Sequence, residues 1–340
     1  MILRRKGVRP MTNIYTLRNI GLPVIRSIDD LATYTKLSSS KINKLSYSSA
    51  HMYKEYTIPK ISGGVRVIAQ PSRELKAIQA WILRNILDKL KSTSNSKGFE
   101  LGSSILDNAK PHIGSNYILN VDLEDFFPSI SANKVYTIFY SLGYDKKICF
   151  LLTNFCVYKG ALPQGAPSSP KLANLICSKL DLRIQSYAGP RGLTYTRYAD
   201  DITISANTSK KIPNAHEFIE TVIRDEGFRI NKKKTLISGV RKRKVVTGLV
   251  VNQSTVGIGR AKYKEIRAAI HYLYIGKTND YNKINGLIAF VYSVDKKMYH
   301  KIVHYVQNLS KSTPNSIFSE SMQCLRNNQN KRVVVDKNQG

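Results

Sequence analysis

The chain is short of acid: its 340 residues hold 23 Asp and Glu against 53 Lys and Arg, a formal charge of +30, with a sequence pI near 9.9. Such an excess repels itself in the compact state, so it points to a polyanionic partner, nucleic acid before any other. Cysteine is scarce as well. Cys149, Cys156, Cys177 and Cys324 are spaced for neither a zinc site nor a disulfide framework, which leaves reduced, semi-buried thiols. Long apolar runs are missing. The longest candidate, GLIAFVYSV at 286–294, falls short of the roughly 20 residues that cross a bilayer, and neither end carries the basic amphipathic helix that suits a membrane surface. The opening MILRRKGVRPMTNIYTL has charge without a continuous apolar core, which argues against a secretory leader. These absences predict a cytoplasmic protein with no membrane partner. The ten basic, unperiodic residues before Met11 leave that methionine open as an alternative start. No internal repeat or long low-complexity run is present.

What is there suits a folded chain of two or three subdomains, with 42% hydrophobic residues to build a core. Residues 15–100 mix short helical patterns with Gly63-Gly64 in YTIPKISGGVRVIAQP, a hairpin turn. ELKAIQAWILRNILDKL at 74–90 sets Leu75, Ile78, Ile82, Ile86 and Leu90 at helical spacing, a core stripe with Trp81 packed beside it. YILNVDL from Tyr117 reads as a strand, followed by a helix near 133–142. Ser169-Pro170 reads as an N-cap with proline at the first helical position, opening a helix with Leu172, Leu175, Ile176 and Leu180 on one face. Residues 194–252 are strand-rich around a helix near 216–224. After Gly259 the pattern is helical and basic: Tyr263, Ile266, Ile270, Leu273 and Tyr274 form one stripe, Lys262, Lys264 and Arg267 face elsewhere, and Gly276 is the stop. His300 and His304 sit four apart with no third metal ligand in view, which suits a helix surface. From about 321 the chain reads as a loose tail.

Two acidic stretches stand out in so basic a chain. RYADDITIS, 197–205, sets Asp200 and Asp201 side by side between strand-forming residues. Alone, such a pair reads as a solvated turn. NVDLEDFFPSI, 120–130, places Asp122 at the end of a strand whose Leu119 and Val121 face a core. If RYADDITIS is a hairpin with Ala199 and Asp200 at its apex, an adjacent antiparallel strand brings Asp122 alongside the pair. Three carboxylates so close repel unless a multivalent cation holds them. Aspartate oxygens are hard ligands suited to Mg²⁺, which completes its shell with waters and substrate phosphates, and two such ions about 4 Å apart serve an in-line phosphoryl displacement.

NVDLEDFF, LPQGAPSSP at 162–170 and YADD at 198–201, in that order, resemble the palm motifs of reverse transcriptases. The resemblance implies an α+β right-hand polymerase fold with fingers, an antiparallel-sheet palm and a helical thumb, and an RNA-directed DNA polymerase taking deoxynucleoside triphosphates with two Mg²⁺ ions. Asp122, Asp200 and Asp201 would be the metal-binding, catalytic triad, with Asp201 the weakest ligand. Phe127 would press on the sugar and select deoxynucleotides, unless it is simply a core ring. Asp125 and Phe126 would offer backbone N–H groups to the triphosphate, while Gln164 would touch the incoming nucleotide and Gly165 permit close approach. Arg66 resembles the fingers arginine that neutralises phosphate charge, with a plain surface arginine as the alternative. Lys234 matches the lysine suggested as proton donor to pyrophosphate, beside Lys232 and Lys233.

Asn108-Ala109-Lys110-Pro111-His112 and Val246-Thr247-Gly248 fit the NAxxH and VTG signatures of the bacterial retron branch, to which NIGLP and QPSRELKA add; the resemblance spans about 12–310. For Asn108, His112, Val246, Thr247 and Gly248 it implies recognition of a cognate structured noncoding RNA, though His112 alone also reads as a core histidine. It implies a basic arm at 1–20, fingers over 21–118, palm over 119–252, thumb over 253–320 and a tail over 321–340. It further implies DNA primed from an RNA 2′-hydroxyl, a branched RNA–DNA product (msDNA), template removal by a host RNase H, and an effector or toxin partner in anti-phage defence. Other bacterial reverse transcriptases, group II intron-type or diversity-generating, and a scaffold that restrains a toxic partner are the alternatives.

Overall fold

The computed structural model describes residues 13–60 and 63–312, with side chains through 309; the residues before Asn13, Cys324 and the tail from 321 lie outside the described residues. The chain divides into two units. One spans the residues up to Pro111 together with Ser115–Lys242, the other His112–Gly114 with the chain from Arg243.

The first unit opens with α1 (Ile14–Asn19), α2 (Ile28–Thr35) and α3 (Ser39–Tyr47). Their first-turn N–H groups are met by the side chains of Asn13, Ser27 and Ser38, and Ser27 completes a capping box with Asp30, so orphan donors are satisfied. Strands β1 (Tyr53–Pro59) and β2 (Val65–Pro71) form the expected hairpin, in register from Tyr53↔Pro71 to Pro59↔Val65. Helix α4 (Arg73–Asn85) buries Leu75, Ile78 and Ile82. The chain then tightens into a 3-10 turn at Leu87–Lys89, which leaves Leu90 half-buried beyond the helix.

After α5 (Ile105–Ala109) come β3 (Tyr117–Asp122), α6 (Ala132–Ser141), α7 (Lys146–Cys156), α8 (Ser169–Ile176), α9 (Ser178–Ala188), β4 (Thr194–Tyr198), β5 (Asp201–Ala206), α10 (Lys211–Asp225) and β6 (Leu236–Ser238). Pro170 lies in the first turn of α8 as expected, but the N-cap is Ser168, without a side-chain bond; its carbonyl takes the first helical bond, from Leu172 N–H at 3.1 Å. The expected single face is also split. The chain breaks at Cys177, so Leu172 and Leu180 are buried on successive helices while Leu175 and Ile176 are half-buried.

The strands pair antiparallel in the order β4-β5-β3-β6. Leu119 and Val121 stand opposite Ile204 and Ile202 and, with Tyr195, belong to the core on the side where α9 and α10 pack. Each buried aliphatic contributes about 1.5–3 kcal/mol. A slip of one residue would turn the whole set to the other face, so the apolar pattern locks the register. The opposite face bears Asn120, Asp122, Asp201 and Thr203, with the Thr203 hydroxyl donating to Asn120 Oδ1 at 3.1 Å. The free thiols Cys149, Cys156 and Cys177 are all buried. Burial lifts the first two to about 12 and the third to about 11, so they act as small apolar groups.

In the second unit β7 (Lys244–Val246), β8 (Leu249–Val251) and β9 (Val256–Gly257) form their own sheet, followed by α11 (Gly259–Tyr274), α12 (Tyr281–Val294) and α13 (Lys296–Ser312), which pack pairwise. The small sheet and the three helices share this unit, which takes up the chain from Arg243. Thr247 and Gly248 both take positive φ, 45° and 82°, as a two-residue hairpin loop requires. Helix α11 buries Ile266, Ile270 and Leu273 and ends at Gly276: the Gly276 N–H donates to Leu273 O at 3.2 Å and the Lys277 N–H to Tyr272 O at 2.9 Å, a Schellman stop. No described helix is long and apolar enough to cross a membrane.

Candidate active site

The β4-β5 hairpin turns at Ala199 and Asp200, with Tyr198 paired to Asp201, and β5 sets Asp201 directly opposite Asp122. Directly opposed strand residues hold their Cβ atoms roughly 4.5–5.5 Å apart on one face. The Leu123 N–H donates to Asp200 O at 3.0 Å, tying the turn to the end of β3. Sequence distance is thus cancelled by register: the three aspartates share one corner of the sheet.

Burial raises the Asp200 carboxyl above its ordinary range, with Asp122 adding to the rise and Lys234 and Arg66 opposing it. The Asp201 side chain keeps an open edge to solvent, yet protein crowded around it, then Asp200 and Asp122, lifts it to about 6. Lys234 Nζ donates to Asp122 Oδ1 at 2.8 Å, and that bond raises the ammonium above its usual value. Among the described residues no three His, Cys, Asp or Glu side chains stand ready as a metal cage. The donor set suits an ion that takes one or two carboxylates and completes its shell with water and phosphate oxygens, as Mg²⁺ does, and not a fully caged one.

Around this corner, Arg66 pairs with Ile58 in the β1-β2 hairpin and is exposed, with its charge felt at Asp200. The Ala69 N–H donates to Gln164 O at 2.9 Å. Gly165, at φ +134°, lies so near β2 that a Cβ would stand 2.7 Å from Ala69 O; only glycine meets both demands. Asp125 takes a positive φ of 44°, and among the described residues the N–H groups of Asp125 and Phe126 make no backbone–backbone bond in the turn. Phe127 is half-buried, its ring 5.4 Å from Phe126 and 6.1 Å from Phe99.

Asn108, His112 and Val246 are fully buried, and burial lowers His112 to about 4. Thr247 is half-buried and Gly248 exposed at the hairpin tip. His300 and His304 are exposed on α13, and His304 Nε2 meets Asn308 Nδ2 at 3.2 Å.

Known proteins resemble this chain over most of its length. Residues 58–256 match the family model described as reverse transcriptase (RNA-dependent DNA polymerase). The retron Ec86 reverse transcriptase of Escherichia coli is 54% identical over 301 residues, 88% of this chain and 94% of that protein. The chain belongs to the retron reverse transcriptases. This reverse transcriptase is an RNA-directed DNA polymerase of the right-hand fold. It is also 34% identical to the retron Mx162 reverse transcriptase of Myxococcus xanthus, over 81% of this chain and 65% of that one. A solved telomerase from Candida albicans, in complex with a fragment of telomeric RNA, is more distant: TM-score 0.48, 14% identity, 81% of this chain and 63% of that one.

Sequence reasoning missed the supports of the corner in this enzyme. A Cβ on Gly98 would meet Ala199 N at 2.7 Å, so a glycine lets the 95–98 segment lie against the turn. Arg197 and Asp181 form an ion pair with no exposure on either side chain. The available signal was phase: Arg197 pairs with Ile202 and so points into the core, where a charge needs a partner.

Proposed function

We propose that the enzyme copies its cognate noncoding RNA into branched single-stranded DNA, primed from an RNA 2′-hydroxyl, with the chemistry at the Asp122–Asp200–Asp201 corner. The observation that carries this reading is the pairing of Asp122 with Asp201, next to Asp200 in the turn and with Lys234 bonded to Asp122. Asp122 and Asp200, with Asp201 as a weaker partner, hold the two Mg²⁺ ions, whose contribution when bound is to activate the attacking hydroxyl and steady the departing pyrophosphate. Lys234, kept protonated by its carboxylate neighbours, gives its proton to the leaving pyrophosphate. Arg66 and the Asp125 and Phe126 N–H groups bind the triphosphate, Gln164 touches the incoming nucleotide, Gly165 permits its close approach, and Phe127 crowds a ribose 2′-hydroxyl.

In this reading 21–118 are fingers, 119–252 palm and 253–320 thumb. Half-buried Thr247 and exposed Gly248 at the hairpin tip touch the RNA, with buried Val246 holding the strand that leads into the tip; Asn108 and His112, also buried, serve recognition of that RNA through the backbone around them. An effector partner in anti-phage defence and template removal by a host RNase H complete the proposal.

Asp200→Asn keeps the shape of the site and removes one anion. DNA synthesis on the cognate RNA is expected to fall by at least about 1,000-fold, with RNA affinity within about twofold. Undiminished deoxynucleotide incorporation by that variant, purified free of the parent, would contradict the assignment.

A further inference from the structure

The carboxylates of the site lie on the polar face of the sheet, but the turn that carries them is gripped from the opposite face. Arg197 Nε and Nη2 donate to Asp181 Oδ1 and Oδ2 at 2.7 and 2.8 Å. Its Nη1 donates to Asn174 Oδ1 and to the Ala199 carbonyl, both at 3.1 Å. Ala199 is the residue directly before Asp200 and is held at φ +57°, where an alanine does not stay unaided. Asp181 is fixed in turn by the Tyr195 hydroxyl at 2.6 Å and the Thr93 hydroxyl at 2.6 Å. Asn174 spends its amide on Gly98 O at 2.7 Å and Glu100 Oε1 at 2.8 Å, and the Arg197 N–H and C=O are clipped to Asn95 O and Lys97 N–H. Arg197, Asp181 and Asn174 each have no exposed surface.

A buried ion pair of this kind is weak grounds for stability, because removing two charges from water offsets what their attraction returns. Its geometry is another matter. The planar guanidinium aims its donors in fixed directions at four acceptor oxygens on three residues, something an ammonium cannot copy. We propose that Arg197, set by Asp181 and Asn174, is a positioning residue that orients the Ala199–Asp200 peptide from the core side and so decides where the Asp200 carboxylate stands. This rests on the reading of Asp122 and Asp200 as the metal seat.

The test uses the full chain and Mn²⁺ as the probe, with free Mn²⁺ read by electron paramagnetic resonance beside single-turnover nucleotide addition. In the triple variant Arg197→Met, Asp181→Leu, Tyr195→Phe the network is replaced by apolar groups of similar size. It is expected to melt near the parent, bind Mn²⁺ about 10- to 100-fold more weakly and lose about as much in kcat, with KM for the nucleotide little changed. Arg197→Lys, which keeps the charge and loses the fork, is expected to show the same losses, and it decides the matter if the triple variant fails to fold. Folded variants with Mn²⁺ affinity and kcat within about twofold of the parent overturn the positioning role. Asp200→Asn is the control: if it binds Mn²⁺ as the parent does, the metal seat itself falls and the proposal with it, whereas a loss there but not in the network variants removes only the role of Arg197.

Discussion

The corner of the four-stranded sheet and the helices of the second unit handle charge in opposite ways. At the corner a few charges are placed by register and close packing: Asp122 faces Asp201 across two strands, and Gly98 and Gly165 leave no room for a methyl. Over 243–309 there are eleven lysines and arginines against three acids, with Lys264, Lys297 and Lys301 exposed around a modest apolar seam that includes Ile266, Ile270, Ile284, Ile288 and Ile302. The difference is between position and density. Chemistry at a phosphorus atom needs carboxylates held to a fraction of an ångström, whereas a polyanion's backbone is met by many cations that need no fixed partner.

If that contrast holds, one added methyl at the corner costs more than two removed charges on the helices. Gly165→Ala forces a Cβ against Ala69 O and strains a φ of +134°. Nucleotide addition is expected to drop by about 100-fold while RNA affinity stays, as seen in single-turnover rates and filter binding; unchanged rates would erase the distinction. His112, in the second unit, comes next. Its folded value of about 4 lies below the ordinary 6.5 because burial disfavours the charged ring. The stability it contributes is therefore complete above about 6.5 and is lost as pH falls toward about 4. Urea midpoints at pH 7 and 4.5 should show the parent losing roughly 2–3 kcal/mol more than His112→Gln over that window; parallel losses would mean that His112 is not held neutral by the fold. The smallest effect is on the helices. Lys264→Ala with Lys301→Ala should lower the slope of log affinity against log salt by about 2 and leave the rate at saturating RNA alone. A large fall in that rate would show that these lysines act by position after all.

The same contrast explains what was legible in the sequence. The strand ending at Asp122, the apex at Ala199 and Asp200, the glycine hairpin at 63–64 and the stop at Gly276 are local patterns with local causes, and each stands where the spacing puts it. Helix boundaries shifted where the backbone had choices that side chains do not announce, as at Ser168 and Cys177. The supports of the corner were invisible for another reason: Asp181, Asn174 and Gly98 matter through partners distant in sequence, and an isolated Asp in a helix or Gly in a loop carries no mark of it. Burial of Asn108, His112 and Val246 was likewise hidden, since a motif names residues without saying which of them face solvent.

The central claim is that Asp122 and Asp200 grip divalent ions where a nucleotide triphosphate arrives. Anomalous scattering from Mn²⁺ in crystals of the enzyme with primed RNA template and a non-hydrolysable deoxynucleotide tests it most directly. The account predicts anomalous peaks within bonding distance of both carboxylates and the triphosphate. A triphosphate and its metal bound away from the Asp122–Asp201 corner would contradict it.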